Sequence, residues 1–254
     1  MKEYSYFQAI YLSFYSRNLY RDVVKNWNAG VILYLLFVLA ICWAIMMMPI
    51  QKSINAIYKQ FSTVYVTQLP EMIFENGQVK TPLNHPYLII NPSTKETVAI
   101  VDTSGAYPNL ENTSATFLLT KTEFYSRDNN DAVKITKIPL GWTYKANPKD
   151  MNVSISHYVS WTWLMLFPVL ILFSLFYRLV QSVIYGVFGK IFAAIAGVNL
   201  TYANILKLTM VALTPVIFIS MILDWYSLHF PYAWLFYFVL AMAYLIFGIY
   251  ANKE

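Results

Sequence analysis

AGVILYLLFVLAICWAIMMMPI, residues 29–50, decides how the chain is read, because it holds no Asp, Glu, Lys, Arg or His. Residues 160–177, 208–223 and 230–251 share that property. At about 1.5 Å rise per residue, roughly 20 apolar residues cross a hydrocarbon core about 30 Å thick. Each stretch therefore reads as a transmembrane helix. The expected fold class is an α-helical integral membrane protein with four transmembrane helices and a β-rich (α+β) extracytoplasmic domain inserted between spans 1 and 2. The expected domains are a cytoplasmic amphipathic N-terminal helix (1–28), a first transmembrane helix (29–50), the extracytoplasmic domain (51–157) and a three-helix transmembrane bundle (158–254) with a cytoplasmic loop at about 179–206.

Composition agrees with that division. The chain is 58% hydrophobic and 12% charged, with mean hydropathy +0.47, against about 25% charged residues in an ordinary soluble domain. The net charge of +5 does not point to nucleic acid, since the 18 Lys and Arg are dispersed and form no basic run. Cys42 is the single cysteine and lies in the first apolar stretch, so the polar domain folds without a disulfide. About a hundred residues can do so on a hydrophobic core alone.

Residues 29–50 are too long for the apolar region of a signal peptide and end in Met-Met-Met-Pro-Ile rather than a small-residue cleavage site. They read as a signal anchor. Lys2, Arg17, Arg21 and Lys25 precede them, which places the N-terminus in the cytoplasm. The long loop translocates, the second span runs over about 157–178, and Arg178, Lys190 and Lys207 surround the next cytoplasmic connection. The turn at 224–231 has no Lys or Arg and suits the outer face, so the C-terminus returns inside. The location expected is a bacterial inner (cytoplasmic) membrane. Residues 179–206 are apolar enough to be interfacial or re-entrant instead, but Arg178, Gln181, Lys190, Asn199 and Asn204 oppose a further span. A helical extension followed by a turn near Gly197 accommodates them.

Along residues 1–28, Tyr6, Phe7, Ile10, Tyr11, Phe14 and Tyr15 recur at helical spacing, and Leu19, Tyr20, Val23, Val24 and Trp27 continue the pattern after a break at 16–18. Two readings stay open, an amphipathic helix on the membrane surface and a cap packed on the other helices.

The polar domain reads as β-rich. Asn76-Gly77 within MIFENGQVKT (72–81) is a hairpin signal, because both turn positions need positive φ. Residues 87–90 and 98–101 are β-branched runs joined by a turn-forming stretch and read as a second hairpin. Residues 115–125 and 132–138 read as further strands, and 52–66 as a helix continuing the first span. Asp102, ahead of Thr103, Ser104 and Gly105, reads as a turn-former accepting local amide hydrogen bonds rather than as a ligand.

Catalytic signatures are missing. The chain contains no H-E-x-x-H, G-x-S-x-G, Walker A or G-x-G-x-x-G pattern. His85 and His157 have no partner at metal-ligand spacing. Ser154 or Ser156 with Lys149 is a pairing of the kind chance supplies in any polar loop. Asp224 is the acidic residue nearest the spans and sits beside Trp225 and Tyr226, as an interfacial residue would. Pro215 reads as a kink in the third span. No enzyme activity, metal or cofactor is expected.

LYRDVVKNW (19–27) resembles the segment preceding the first span in a bacterial membrane family known only as a domain of unknown function, numbered 1189. PYLIINPSTKETVAIVDT (86–103) resembles that family's central signature, and with the one-plus-three span layout the resemblance covers nearly the whole chain. The last three spans also resemble the wider Yip-type membrane domain, in which a Gly-containing connection (here 188–204) leads into a span with an internal Pro (here Pro215). That resemblance implies a membrane-organising or partner-binding protein. Neither family brings catalytic residues.

The leading expectation is a non-enzymatic inner-membrane accessory, scaffold or assembly protein whose extracytoplasmic domain binds a protein or envelope ligand. The alternatives are a transporter or channel component and an envelope small-molecule sensor. Expected partners are the lipid bilayer and another membrane or envelope protein, with a homo-oligomer allowed. The structural or partner-binding residues singled out are Tyr20, Arg21, Asp22, Lys25, Trp27, Pro86, Asp102, Pro215 and Asp224.

Overall fold

A computed structural model describes residues 2–128, 130–228 and 230–253. His229, within the expected turn, and Glu254, at the end of the last expected span, lie outside the described residues. In chain order the elements are helices α1 (Tyr6–Leu12), α2 (Arg17–Asn26) and α3 (Gly30–Val64), strands β1 (Met72–Glu75), β2 (Gln78–Lys80), β3 (Tyr87–Ile90), β4 (Thr97–Val101), β5 (Phe117–Leu119), β6 (Glu123–Arg127), β7 (Val133–Lys137) and β8 (Tyr144–Ala146), and helices α4 (Pro148–Ala196), α5 (Tyr202–Trp225) and α6 (Ala233–Ala251). Among the described residues, four helical segments are long and apolar enough to cross a membrane: Gly30–Gln68, Pro148–Ala196, Tyr202–Trp225 and Ala233–Ala251. Two compact units divide the chain, a helical unit of Met1–Ile50 and Trp163–Glu254 and a sheet-bearing unit of Gln51–Thr162.

In the helical unit, the aromatic N-terminus forms two helices separated at Ser13–Ser16. Ser5 and Gln8 form a capping box at the start of α1, and Ser16 Oγ accepts from Leu19 N at the start of α2. The apolar face of α2 is buried, with Leu19, Tyr20, Val23 and Trp27 in the same core cluster as residues of α3, α5 and α6. The packed cap is therefore the arrangement found for α2. On α1, by contrast, Phe7 and Tyr11 are exposed. α5 is the central element, with residues 208–217 all buried. Its apolar window is 61% buried against 6% for that of α4, so α4 lies at the periphery.

Residues 179–196, expected as a helical extension or a loop, continue α4, and the turn follows at Gly197. There φ is +69°, Val198 N donates to Ala193 O and Gly197 N to Ala194 O. This is a glycine C-cap that satisfies the last helical carbonyls. The α4 helix also begins ahead of the expected span, where Asn147 Oδ1 accepts from Lys149 N.

In the sheet-bearing unit, β1 and β2 form a hairpin through Asn76 (φ +51°) and Gly77 (φ +73°), and β8 pairs antiparallel on the other side of β1. The second sheet has the order β3-β4-β5-β6-β7. Its β4–β5 pair is parallel and all others are antiparallel. Met72, Val79 and Ala146 from the first sheet share a core with Ile89 and Val101 from the second. The opposite face of the larger sheet buries Ile100, Leu118 and Tyr125 under Leu110 and Ala115 of the β4–β5 connection.

Two expectations for this unit are corrected. Residues 115–125 are two antiparallel strands, β5 and β6, because Thr120 turns the chain: its N donates to Glu123 O and its Oγ1 accepts from Glu123 N. β8 is an additional strand. Its three residues carry too little alternation to be read alone, and pairing with β1 defines it.

Close packing of α2 on α6 makes a testable contact. A Cβ on Gly248 would lie 2.6 Å from Cδ1 of Tyr20. The Tyr20 ring is fully buried and has no room to retreat. Gly248→Ala is expected to cost about 1–3 kcal/mol, read as a lower thermal midpoint of the purified full chain. An unchanged midpoint would remove this contact as a determinant of the fold.

Candidate functional site

Five of the residues singled out from the sequence fall on or beside α2, where four of them hold the cap together. The Asp22 carboxylate is buried and accepts from Trp27 Nε1 at 2.7 Å, Asn26 Nδ2 at 2.6 Å and Glu3 N at 3.2 Å. Tyr20 Oη donates to Ser13 O at 2.8 Å, and Arg21 Nε donates to Ala251 O at 2.6 Å, tying α2 to the end of α6. Trp27 packs edge-on against Tyr6 and Tyr34 with ring centroids 5.6 and 5.3 Å away. Lys25 is exposed and takes no part in this cluster. The acceptor capacity of Asp22 is spent on fixed donors, so the constellation is structural.

Pro86 is half-buried and leads into β3. Asp102 is buried at the end of β4. Its Oδ1 accepts from Ser104 N at 2.8 Å and Ser104 Oγ at 2.6 Å, and its Oδ2 from Tyr107 N at 2.6 Å. Burial pushes the Asp102 carboxyl up, but hydrogen bonds from Ser104, Tyr107 and Gly105 outweigh it and hold the carboxyl below its ordinary range. This is the turn-forming role its sequence context suggests. Among the described residues, no group of three or more His, Cys, Asp or Glu could hold a metal ion.

The chemistry that sequence reasoning missed lies between α3, α4 and α5. A cavity of about 190 Å³ there is lined by Cys42 and Trp43 of α3, Ser174 and Arg178 of α4, and Ser220 and Asp224 of α5. Trp43 Nε1 donates to Ser174 Oγ at 2.8 Å, setting α3 against α4. A Cβ on Gly189 would lie 2.6 Å from Ile205, so these two residues are level across the α4–α5 contact. Eleven residues back along α4 from Gly189 is Arg178, and eleven forward along α5 from Ile205 is Val216. Arg178 therefore lies near the middle of α5, which runs from Tyr202 to Trp225. The sequence placed Arg178 at the end of a span because the uncharged run stops there. The register of α4 against α5 places it at mid-height of its neighbour instead.

The surroundings of Arg178 are sparse. Its Nη1 donates to Gln181 Oε1 at 2.6 Å, Gln181 Nε2 donates to Tyr185 Oη at 2.9 Å, and the guanidinium lies 5.4 Å from the Tyr177 ring centroid. Among the described residues, ion pairs within 4.0 Å are Lys80–Glu75 and Arg127–Asp131, both in the other unit. Arg178 and Asp224 are thus two unpaired opposite charges on one cavity wall. Pro215 sits inside α5 and is buried, and the neighbouring Thr214 Oγ1 is hydrogen-bonded to Tyr34 Oη at 2.9 Å.

A second surface stands out in the sheet-bearing unit. β7 ends its sheet, and all five of its residues are exposed. Arg127 N donates to Thr116 O, and Glu123 O accepts from Thr120 N, so residues 123, 125 and 127 of β6 face β5. By antiparallel alternation, Phe124 and Ser126 bond to their partners Thr136 and Lys134 on β7. The N–H and C=O groups of Val133, Ile135 and Lys137 then point outward from the sheet edge. An open groove lined by Leu110, Arg127, Val133 and Ile135 runs beside them.

Fold and sites together define a predominantly helical chain, consistent with a membrane protein, that has a cavity carrying one basic and one acidic side chain among long apolar helices and a two-sheet unit with a free edge. The chain belongs to the family described as "Protein of unknown function (DUF1189)", which matches it over residues 7–249. Both resemblance segments, 19–27 and 86–103, lie inside that match. Neither a curated protein nor a solved structure matches the chain. These comparisons do not show the Yip-type likeness of the last three helices.

The Asp102 turn carries a pH dependence. A carboxyl whose folded pKa lies below its unfolded value of about 3.9 adds stability above that pH and loses it as the pH falls through the lower folded value. Amide-exchange protection at Ser104 and Tyr107 is expected to hold from neutral pH to about 4 and to fall below it. In Asp102→Asn, protection is expected to be lower at neutral pH by about 1–3 kcal/mol and to lose this acid dependence. Equal acid profiles in the two proteins would reject the role assigned to the carboxylate.

Proposed function

We propose that this chain is a multi-pass protein of the bacterial inner membrane that works by binding rather than catalysis. Both termini lie in the cytoplasm, residues 51–157 lie outside it, and the outer unit recruits a protein partner. Span length and composition support insertion, and the Lys and Arg ahead of the first apolar stretch support the orientation. The single observation carrying the partner reading is β7, an edge strand with every residue exposed. Unpaired edge groups invite another chain to pair. Lys134 and Lys137 blunt indiscriminate pairing here and favour a strand that brings acidic side chains opposite them. The Yip-type likeness would agree with a membrane-organising scaffold. Transport along a break at Pro215 is less well supported, because α5 passes through Pro215 with residues 208–217 buried.

Orientation is tested with single cysteines placed at exposed Lys145 and Lys253 in a Cys42→Ser background. A membrane-impermeant maleimide added outside is expected to label Lys145→Cys and not Lys253→Cys, and the reverse pattern would invert the topology. The partner reading is tested by purifying the full chain in native nanodiscs and identifying what accompanies it by mass spectrometry. A stoichiometric partner is expected with the parent chain and is expected to be lost in Ile135→Pro, which removes an outward N–H without touching the β6 ladder. A chain that purifies alone, or a partner indifferent to that substitution, would sink the reading.

A further inference from the structure

We propose that the cavity between α3, α4 and α5 binds the headgroup of a zwitterionic aminophospholipid, with the phosphate on Arg178 and the ammonium on Asp224. The inference rests on the reading that these helices cross a bilayer, and otherwise on observations independent of the β7 edge.

The first argument is the state of Arg178. A guanidinium offers five N–H donors in a planar fork that matches phosphate oxygens two at a time. Gln181 takes a single hydrogen bond from it, and no carboxylate of the described residues lies within ion-pair distance. An ionisable residue at mid-height among apolar helices is a functional position by default. The second argument is the order of charges. Asp224 lies eight residues beyond Val216 on α5, about 12 Å farther along the axis, and one residue from the helix end. From that end inward, the cavity offers a carboxylate, the Ser220 hydroxyl and then a guanidinium. A phosphatidylethanolamine in a leaflet presents its ammonium outermost, its phosphate next and its acyl chains inward, which is the complementary sequence. The long Arg stem lets the head reach along the helix toward the phosphate.

The third argument is shape and polarity. The remaining wall includes Leu39, Met46, Ile217 and Met221, which suits the apolar base of a headgroup. About 190 Å³ accommodates a headgroup but not its chains. Inward of Arg178, α4 exposes Val180, Val183, Ile184 and Val187, an apolar track on which acyl chains can lie. An anionic lipid such as phosphatidylglycerol would satisfy Arg178 but leave Asp224 without a cation, so the site discriminates between the two headgroups.

The test uses the full chain reconstituted with equal amounts of phosphatidylethanolamine and phosphatidylglycerol, re-extracted in mild detergent, with retained lipid quantified by mass spectrometry. The chain is expected to retain about one phosphatidylethanolamine per molecule, with retention falling about tenfold in Arg178→Gln and by a smaller factor in Arg178→Lys, which keeps the charge but loses the planar fork. Asp224→Asn is expected to retain phospholipid but lose the preference for ethanolamine over glycerol. Size-exclusion profiles of all variants separate loss of binding from loss of fold, and Arg178→Lys carries the comparison if Arg178→Gln aggregates. Equal retention of both lipids by the parent chain, or unchanged retention in Arg178→Gln, would overturn the proposal. Displacement of the lipid by soluble phosphoethanolamine would reassign the site to a free zwitterion and overturn the lipid assignment. A chain extracted from membranes by alkaline carbonate would instead refute the bilayer reading beneath it.

Discussion

The helical unit depends on the shielding of α5. Ten consecutive residues of this helix, 208–217, are buried on every side, as a helix apolar all round must be when it forms a core. That constraint dictates what surrounds it. α3 supplies Tyr34, whose hydroxyl pairs with Thr214 inside the core and so leaves neither group unsatisfied. α6 supplies Leu245 and Ile249, and α2 supplies Leu19, Tyr20, Val23 and Trp27. The aromatic N-terminus is in this sense part of the core, held there by the Asp22 carboxylate and by Arg21 reaching the last turn of α6.

α4 is bound differently along its length. Toward its C-terminal end, small residues such as Gly189 and Ala193 let it approach α5 closely. Farther back, the cavity of Arg178 and Asp224 lies between the two helices. Cavity and cap are thus separate consequences of how the neighbours of α5 are arranged.

The two sheets show a parallel division of labour. The faces that share Met72, Val79, Ile89 and Val101 form the core of that unit, while the other face of the larger sheet is covered by its own β4–β5 connection. Asp102 sits where that connection leaves β4 and anchors its first turn. β7, last in the order, is left with one paired side and one open side.

Much of this was legible in the residues alone. The apolar runs, the Asn76-Gly77 turn, the β3–β4 hairpin, the turn at Gly197 and the Asp102 hydrogen bonds all depend on a residue and its near neighbours, so composition and local turn chemistry suffice to read them. Thr120 was misread because a Thr-Lys-Thr turn carries no Gly, Pro or Asn, and β8 because three residues acquire strand character only from β1. Arg178 marked the end of an uncharged run and so read as the end of a span. Its true height depends on contacts such as Gly189 with Ile205 and Trp43 with Ser174, residues separated in the chain by a turn or by a whole unit. The sequence by itself determined which segments are apolar, how long they are and where the chain turns. The tertiary structure alone decided which side chains meet, because helix register and strand order are set by packing between distant segments.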